Sequence, residues 1–265
     1  MMPSQDAEAV AVVRDQLRRD GVEIHEGVSI ASVAAGAGTV VTLADGTTVS
    51  GSHLLVAAGR KARTGGFGLD AAGVTVAKDG IVTDRWLRTS NSRIYAIGDC
   101  RAGPRLTHAA NQDARTVIQN ALFPFRKAKN YSALPAVTYT DPELAQVGLT
   151  EAAARAKHAR VEIIRHDFDH IDRSIAEHDN RGFIKIMAVG NRVVGVTIVG
   201  AHAGELLALC SFAVSGKLSL SDLANQTYAY PTLAEIIRFA AEKPGQAKLF
   251  TPLMRRVTRL FQKLP

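Results

Sequence analysis

The sequence has 265 residues, of which 46% are hydrophobic, and its formal net charge is +7. This length suffices for one large domain or for two to three small ones with buried cores. No apolar run approaches the roughly 20 residues of a membrane span. The first residues have neither the basic flank nor the apolar core of a secretory signal. Cys100 and Cys210 are far apart in the sequence, so we expect two reduced thiols, as in a cytoplasmic protein, and no metal site or redox pair.

The first 60 residues predict one helix followed by strands. Apolar residues at helical spacing indicate a helix over 4–19 that Ser4 caps. Strands are expected over 22–25, 29–34, 39–43 and 47–49, with Asp45-Gly46 as a hairpin turn. The continuous apolar run 54–59, which ends at Gly59, predicts a central strand.

The stretch from Thr89 to Asp99 is the most informative part of the sequence. Its apolar run 94–97 predicts a buried strand that stops at Gly98, where the backbone can turn tightly and approach a ligand. Asp99 would then lie just past the carboxyl end of a strand, where open α/β sheets bind ligands. When these eleven residues are considered alone, an ordinary Gly-Asp turn at the end of a strand is the favoured interpretation.

The second half of the chain predicts a separate unit. After Thr107, which can cap a helix over 108–122, residues 124–129 are typical of a linker. A strand is expected from residue 136, a helix after Thr150, and further strands over 161–168, 183–189 and 192–199. Gly190-Asn191 predicts a hairpin, and a helix over 202–214 ends near Gly216. This order predicts an α+β domain with an antiparallel sheet.

Several segments resemble the FAD-dependent pyridine nucleotide-disulfide oxidoreductases, a family that includes dihydrolipoamide dehydrogenase and mercuric reductase. The second flavin-binding motif of that family is matched in order by Thr89, Tyr95, Ala96, Gly98 and Asp99. Residues 136–143, 146–151 and 200–207 resemble successive steps of its interface domain. The resemblance spans almost the whole chain but only the C-terminal part of the family fold.

The resemblance implies a cofactor site with FAD and NAD(P)H. Asp99, next to Gly98, would hold the ribityl chain of FAD, and Thr107 and Ala109 would lie beside the isoalloxazine ring at a positive helix end. Gly59 would begin the crossover Gly-Arg-x-Pro-Asn, in which Ala62 and Arg63 replace the Pro and Asn. His108 is interpreted as a packing residue.

The resemblance also implies a domain order. Residues 1–62 would be the second half of the NAD(P)-binding domain, 63–130 the C-terminal segment of the FAD-binding domain, and 131–265 the dimerisation (interface) domain. The expected fold therefore begins with α/β nucleotide-binding portions, which are incomplete FAD and NAD(P) domains. An α+β interface domain with an antiparallel sheet follows them. The sequence lacks the family's Cys-x-x-x-x-Cys and a Gly-x-Gly-x-x-Gly between a strand and a helix, so we expect a C-terminal fragment or truncated product.

The family's catalytic ending, His-Pro-Thr-x-x-Glu, is altered here. Glu235 is present, but Tyr230 stands at the position of the His. A phenol with a pKa of about 10 is a poor base at neutral pH, which argues against ordinary dithiol oxidation. Tyr230 then either binds the acceptor or packs beside a helix start, as Tyr228 can.

The leading hypothesis is a flavoprotein oxidoreductase, active as a homodimer, that passes electrons from NAD(P)H through FAD to a disulfide, quinone or metal-ion acceptor. The alternative is a truncated, catalytically inactive dimerisation module. A nucleic-acid binder rests on net charge alone, since no nucleic-acid motif accompanies it. The tail 248–265 predicts a basic amphipathic helix that either packs on protein or contacts an anionic membrane surface.

Overall fold

The computed structural model describes residues 1–36, 38–249 and five positions of the tail, 252, 258, 259, 261 and 262. The chain divides into two compact units, one formed by residues 1–22 and 131–265 and the other by residues 23–130. We call them the sheet unit and the middle unit. The division into domains at residues 62 and 130 stays a prediction. Most of the predicted tail helix lies outside the described residues.

The helices of the described residues are α1 (Ala7–Arg19), α2 (Thr107–Leu122), α3 (Glu151–Lys157), α4 (Asp172–Ala176), α5 (Ala203–Val214), α6 (Leu220–Asn225) and α7 (Glu235–Leu249). The strands are β1 (Ile30–Ala35), β2 (Thr39–Leu43), β3 (Thr48–Gly51), β4 (Val76–Ala77), β5 (Gly80–Ile81), β6 (Ala136–Thr138), β7 (Glu143–Gly148), β8 (Glu162–Asp167), β9 (Phe183–Val189) and β10 (Arg192–Gly200). None of the helices in this described part is long and apolar enough to cross a membrane.

The sheet unit is built on an antiparallel sheet with strand order β6-β7-β10-β9-β8. The predicted hairpin at Gly190-Asn191 joins β9 to β10, because glycine accepts the positive φ of 58° that this tight turn requires at its position. The central strand β10 and its neighbour β9 are buried along nearly their whole length. The reason is that α5, α6 and α7 contribute to the core on one face, while α1 and α3 pack against residues of the other.

The predicted helix caps have mixed outcomes. Thr150 caps α3, as predicted, by accepting a hydrogen bond from the Ala153 N–H at 3.3 Å. The cap of α1 is Asp6 rather than Ser4, since its carboxylate accepts from the N–H groups of residues 8 and 9. Thr107 does not cap α2. It is the first helical residue, and Leu106 at the N-cap supplies no side-chain hydrogen bond.

The middle unit confirms the hairpin around Asp45-Gly46 but not every strand. β1, β2 and β3 form a three-stranded antiparallel sheet. The predicted strands over 22–25 and 54–59 are wrong, because neither segment is a strand, and Leu55 is 89% exposed. A central parallel strand needs paired neighbours on both edges, and no strand of the described residues pairs with this run.

The run 94–97 is also not a regular strand. It forms one isolated bridge, between Tyr95 and Arg88, and the Ala96 N–H donates to the Leu87 carbonyl at 3.2 Å. A single 3-10 turn, Gly98–Cys100, follows immediately. The apolar run therefore predicted burial of Ala96 correctly but overestimated the length of the hydrogen-bonded ladder.

Candidate functional site

The segment before Asp99 is held by its own hydrogen bonds. The buried Thr89 hydroxyl lies 3.0 Å from the carbonyls of both Asn91 and Ile94, and the Thr89 N–H donates to the Ile94 carbonyl. The Tyr95 hydroxyl donates to the Asn120 carbonyl in α2 at 3.2 Å. Thr89 and Tyr95, two residues of the predicted motif, thus fix the course of the chain into Gly98 and its attachment to α2.

Gly98 allows a close approach between this segment and α2. Its φ is +67°, and a Cβ atom added there would lie 3.2 Å from the Ala110 Cβ, so a side chain would be both strained and crowded. The next residue, Asp99, is half-exposed, and one of its carboxylate oxygens lies 3.3 Å from the Arg60 guanidinium. The carboxylate can therefore accept hydrogen bonds from a ligand in competition with Arg60.

The start of α2 lies at the positive end of the helix dipole. No side chain caps it and its first turn contains no acidic residue, so the positive end of the helix dipole is retained. Thr107 is exposed at this end. Ala109 is fully buried, which restricts any ligand contact of this residue to its backbone.

Gly59 lies in the exposed segment before Arg60 and has a φ of +105°. The Arg105 guanidinium donates to the Arg60 carbonyl at 2.6 Å and to the Asp79 carbonyl at 3.1 Å. This contact ties the chain after Gly59 to the loop that precedes α2, and Arg60 in turn contacts Asp99. The structure thus brings Gly59, Gly98 and Asp99 into one neighbourhood through Arg60.

A buried ion pair that the sequence interpretation missed supports this neighbourhood. Arg101 donates through Nε to Asp113 of α2 at 3.1 Å, and the two side chains are only 6% and 1% exposed. It anchors the turn after Asp99 to the middle of α2. The sequence contained a signal for this pair, because the buried positions of α2 follow helical spacing: Ala109, Asp113, Thr116 and Asn120. A carboxylate in that buried stripe requires a buried partner.

In the sheet unit, Tyr230 is 71% exposed. Its hydroxyl donates to the Asp172 carboxylate at 2.9 Å. This hydrogen bond raises the pKa of Tyr230 above its ordinary value, and the negative charge of Asp172 contributes a smaller increase. Asp172 was not predicted, and no local signal points to it, because it lies 58 positions away in the sequence.

Glu235 is buried and faces other partners. Its carboxylate accepts from the Thr232 N–H at 3.3 Å and lies 3.4 Å from the Arg238 guanidinium. Thr232 and Glu235 have the spacing of a capping box, so this carboxylate stabilises the start of α7. Tyr228 packs against the core and donates to the Leu223 carbonyl; burial raises its pKa to about 12.

The residues of the middle unit fit part of a flavin dinucleotide. Asp99 supplies an exposed acceptor suited to ribityl hydroxyls, and the uncapped start of α2 suits the electron-rich edge of an aromatic ring. A pyrophosphate group needs a glycine-rich turn at a helix start, and the sequence has none between a strand and a helix. The fit therefore covers the ribityl and ring portions only.

Two models of known protein families match parts of this chain. Residues 1–114 match the model of the pyridine nucleotide-disulphide oxidoreductase family. Residues 134–241 match the model of the dimerisation domain of the same family. The two matches do not overlap and follow the order of the two halves of the chain.

Individual relatives give the same result. A mercuric reductase from Streptomyces lividans is 31% identical over 245 residues, which is 90% of this chain and 52% of that protein. A dihydrolipoyl dehydrogenase from Bacillus subtilis is 32% identical over 250 residues, with 91% and 53% covered. The crystal structure of LpdA from Mycobacterium tuberculosis superposes with a TM-score of 0.85 at 30% identity, with 91% and 54% covered. The chain spans about half the length of the curated relatives that it matches.

Proposed function

Because the chain belongs to the pyridine nucleotide-disulphide oxidoreductase family, we propose that it supplies the flavin-side and interface elements of an FAD-dependent oxidoreductase. Such an enzyme passes electrons from NAD(P)H through FAD to a disulfide, quinone or metal-ion acceptor. One observation carries the proposal: an exposed carboxylate, Asp99, follows a glycine packed at 3.2 Å against α2, beside the uncapped start of that helix.

On the flavin side, Asp99 accepts hydrogen bonds from the ribityl hydroxyls, and Gly98 keeps the segment close to α2. Thr107 and the backbone of Ala109 lie beside the ring, where the positive helix end stabilises negative charge. Gly59, with its positive φ, directly precedes Arg60, whose guanidinium contacts Asp99. FAD, when bound, supplies the redox chemistry, while these residues bind and orient it.

On the acceptor side, we assign Tyr230 a direct role and Glu235 a positioning role. Tyr230 is exposed and protonated at neutral pH, so it donates a hydrogen bond to the acceptor in place of the one to Asp172. Glu235 holds the start of α7 through Thr232 and Arg238. It acts on Tyr230 through the segment between them.

The test of the flavin site is a binding titration of the purified chain with FAD and with riboflavin, followed by flavin fluorescence. Both ligands contain the ring and the ribityl chain, and the chain lacks a pyrophosphate loop. We therefore expect weak binding of both, with dissociation constants within about threefold of each other, a difference of about 0.7 kcal/mol. Asp99→Ala should weaken both about tenfold, as expected for a hydrogen bond to a charged group worth about 1.5 kcal/mol.

The matched control is Asp70→Ala, which removes another exposed carboxylate of the middle unit. It should leave both affinities unchanged. The proposed site would be contradicted if Asp99→Ala left the affinity for both flavins unchanged. It would also be contradicted if FAD bound tightly and stoichiometrically while riboflavin did not. Absence of any flavin binding would favour the catalytically inactive dimerisation module.

The matched dimerisation domain supports a homodimer as the assembly. Phe212 and Tyr139 of the sheet unit are large side chains that are mostly exposed, as expected of side chains that a second copy covers. Phe212→Glu should therefore produce monomers in light scattering at micromolar concentration, whereas Lys217→Glu, a control at another exposed position, should not. A wild-type chain that is monomeric under these conditions would refute this assembly.

A cytoplasmic location is the remaining part of the proposal. Cys100 and Cys210 are both free thiols, as is usual in a reducing compartment.

A further inference from the structure

A polar cavity of about 430 Å³ lies in the middle unit, apart from Asp99. The second half of α2 and the segment after it line the cavity: Gln112, Arg115, Thr116, Gln119, Lys127, Ala128, Lys129 and Asn130. Its volume falls in the range of about 300–1,000 Å³ that is typical of small-molecule sites. Three of its lining residues are cationic and none is acidic, which selects for an anion.

Two of these cations are available to a ligand. Arg115 and Lys127 are both exposed, and neither forms an ion pair among the described residues. The main chain at Lys127 is fixed, because its N–H donates to the Asn120 side chain at 2.7 Å and its carbonyl accepts from the same amide at 3.0 Å. One wall of the cavity is therefore held in place while its charged group remains unneutralised.

The third cation, Lys129, adds to the positive field. Its ammonium group lies 3.8 Å from Asp113 and donates to Gln112 Oε1 at 2.8 Å. Asp113 is shared with the buried Arg101, so one carboxylate faces two cations. Burial lowers the pKa of Lys129, Asp113 opposes this, and the charges of Arg101 and Lys127 lower it further. An anion in the cavity would interact favourably with these cationic groups.

We propose that this cavity binds a phosphate group, free or carried by a small organic molecule, between Arg115 and Lys127. The planar guanidinium of Arg115 suits two phosphate oxygens at once, while Lys127 acts as a point charge. Gln112 uses its carbonyl oxygen for Lys129, which leaves its amide N–H groups as neutral donors to the same ligand. The cavity exceeds the size of one phosphate ion, so it has space for an organic portion.

The experiment is calorimetric titration of the full chain with inorganic phosphate and, separately, with glycerol 3-phosphate, at constant ionic strength maintained with chloride. We expect saturable binding of at least one of them, with a dissociation constant on the order of 1 mM. The double variant Arg115→Gln, Lys127→Gln should weaken this binding at least tenfold. Far-ultraviolet circular dichroism should show that this variant is folded, as expected for two exposed positions.

The matched control is Lys78→Gln, Arg93→Gln, which removes the same charge from exposed positions of the same unit outside the cavity. It should retain at least half of the wild-type affinity. Preference for glycerol 3-phosphate over inorganic phosphate identifies a phosphorylated organic ligand, and equal affinity identifies the free ion. The proposal is overturned if neither ligand binds, or if the two double variants weaken binding equally.

Discussion

Replacing Lys185 with methionine should weaken the attachment of α1 to the five-stranded sheet. The Lys185 ammonium group lies 3.0 Å from Asp6, 2.6 Å from Glu8 and 2.8 Å from Glu151. It is 2% exposed, and Asp6 is 3% exposed. Asp6 caps α1 and Glu151 begins α3, so one cation on β9 joins two helix starts to the sheet.

The magnitude follows from which carboxylates stay buried without the lysine. Removing one partner of a fully buried ion pair costs about 3–5 kcal/mol, because an uncompensated charge remains. Glu8 is 59% exposed and Glu151 is 27% exposed, so these two can regain water, whereas Asp6 cannot. We therefore expect Lys185→Met to lower the free energy of unfolding by about 3 kcal/mol, the lower end of that range.

A double-mutant cycle isolates the pair. Asp6→Asn keeps a capping oxygen for α1 and removes the charge. The double variant Asp6→Asn, Lys185→Met should therefore recover part of the free energy of unfolding that Lys185→Met loses, with a coupling of at least about 1 kcal/mol. Urea unfolding followed by far-ultraviolet circular dichroism gives the free energies, and hydrogen exchange of the α1 amides locates the effect. Lys217→Met, at an exposed position, should change neither measurement.

The pH dependence provides an independent check with a defined sign. The hydrogen bond to Lys185 lowers the pKa of Glu151 below its ordinary 4.5, so this stabilisation is present above pH 4.5 and is lost as the pH falls through the folded-state pKa. Bonds to the carboxylates raise the pKa of Lys185 above 10.5 against the effect of burial, so its contribution is complete below pH 10.5 and is lost as the pH rises through the folded-state pKa. The difference between wild type and Lys185→Met should therefore be largest between these limits. A loss below about 1 kcal/mol at neutral pH, or a cycle without coupling, would refute the reasoning.

Three further predictions concern the candidate site. Gly98→Ala should cost about 2 kcal/mol in urea unfolding because of the left-handed φ and the contact with α2, whereas Gly65→Ala, in open space, should cost nothing measurable. Asn120→Ala removes three side-chain hydrogen bonds, one of them to the Trp86 carbonyl. It should cost about 3 kcal/mol, measured by the fluorescence of that single tryptophan, and an unchanged midpoint would contradict it. Asp172→Asn should lower the pKa of Tyr230 toward 10.0, which ultraviolet titration against Tyr230→Phe detects; an unchanged titration would exclude the assigned contact.

The sequence predicted best those elements that local residues determine. Gly190-Asn191 specifies a two-residue turn between two apolar runs, and Thr150 is followed by good helix formers; the structure confirms both. Ser4 and Asp6 are both residue types that cap helices, but α1 begins at Ala7 with Asp6 as its cap, and Asp6 also contacts Lys185, which is 179 positions away. Local patterns carry no information about such a partner.

The errors in the middle unit have a related cause. An apolar run such as 54–59 indicates that its side chains prefer burial. A strand forms, however, only where another strand supplies hydrogen bonds. The Arg101–Asp113 and Tyr230–Asp172 contacts likewise join residues 12 and 58 positions apart. Only the contact of Asp113 could have been predicted from the sequence pattern, because Asp113 lies in the buried stripe of α2.

The hydroxyl of Tyr230 also discriminates among the proposed acceptors. Even without its hydrogen bond to Asp172, a phenol with an ordinary pKa of about 10 is a weak proton source for a thiolate, whose conjugate thiol has a pKa of about 8.5. The transfer to a leaving thiolate is therefore unfavourable, whereas donation of a hydrogen bond to a quinone oxygen requires no transfer. In the proposed site, Tyr230→Phe should lower turnover with a quinone more than with a disulfide when the two are compared in an assembled enzyme. Equal losses with both acceptors would show that the hydroxyl serves the local structure at Asp172 instead of the acceptor.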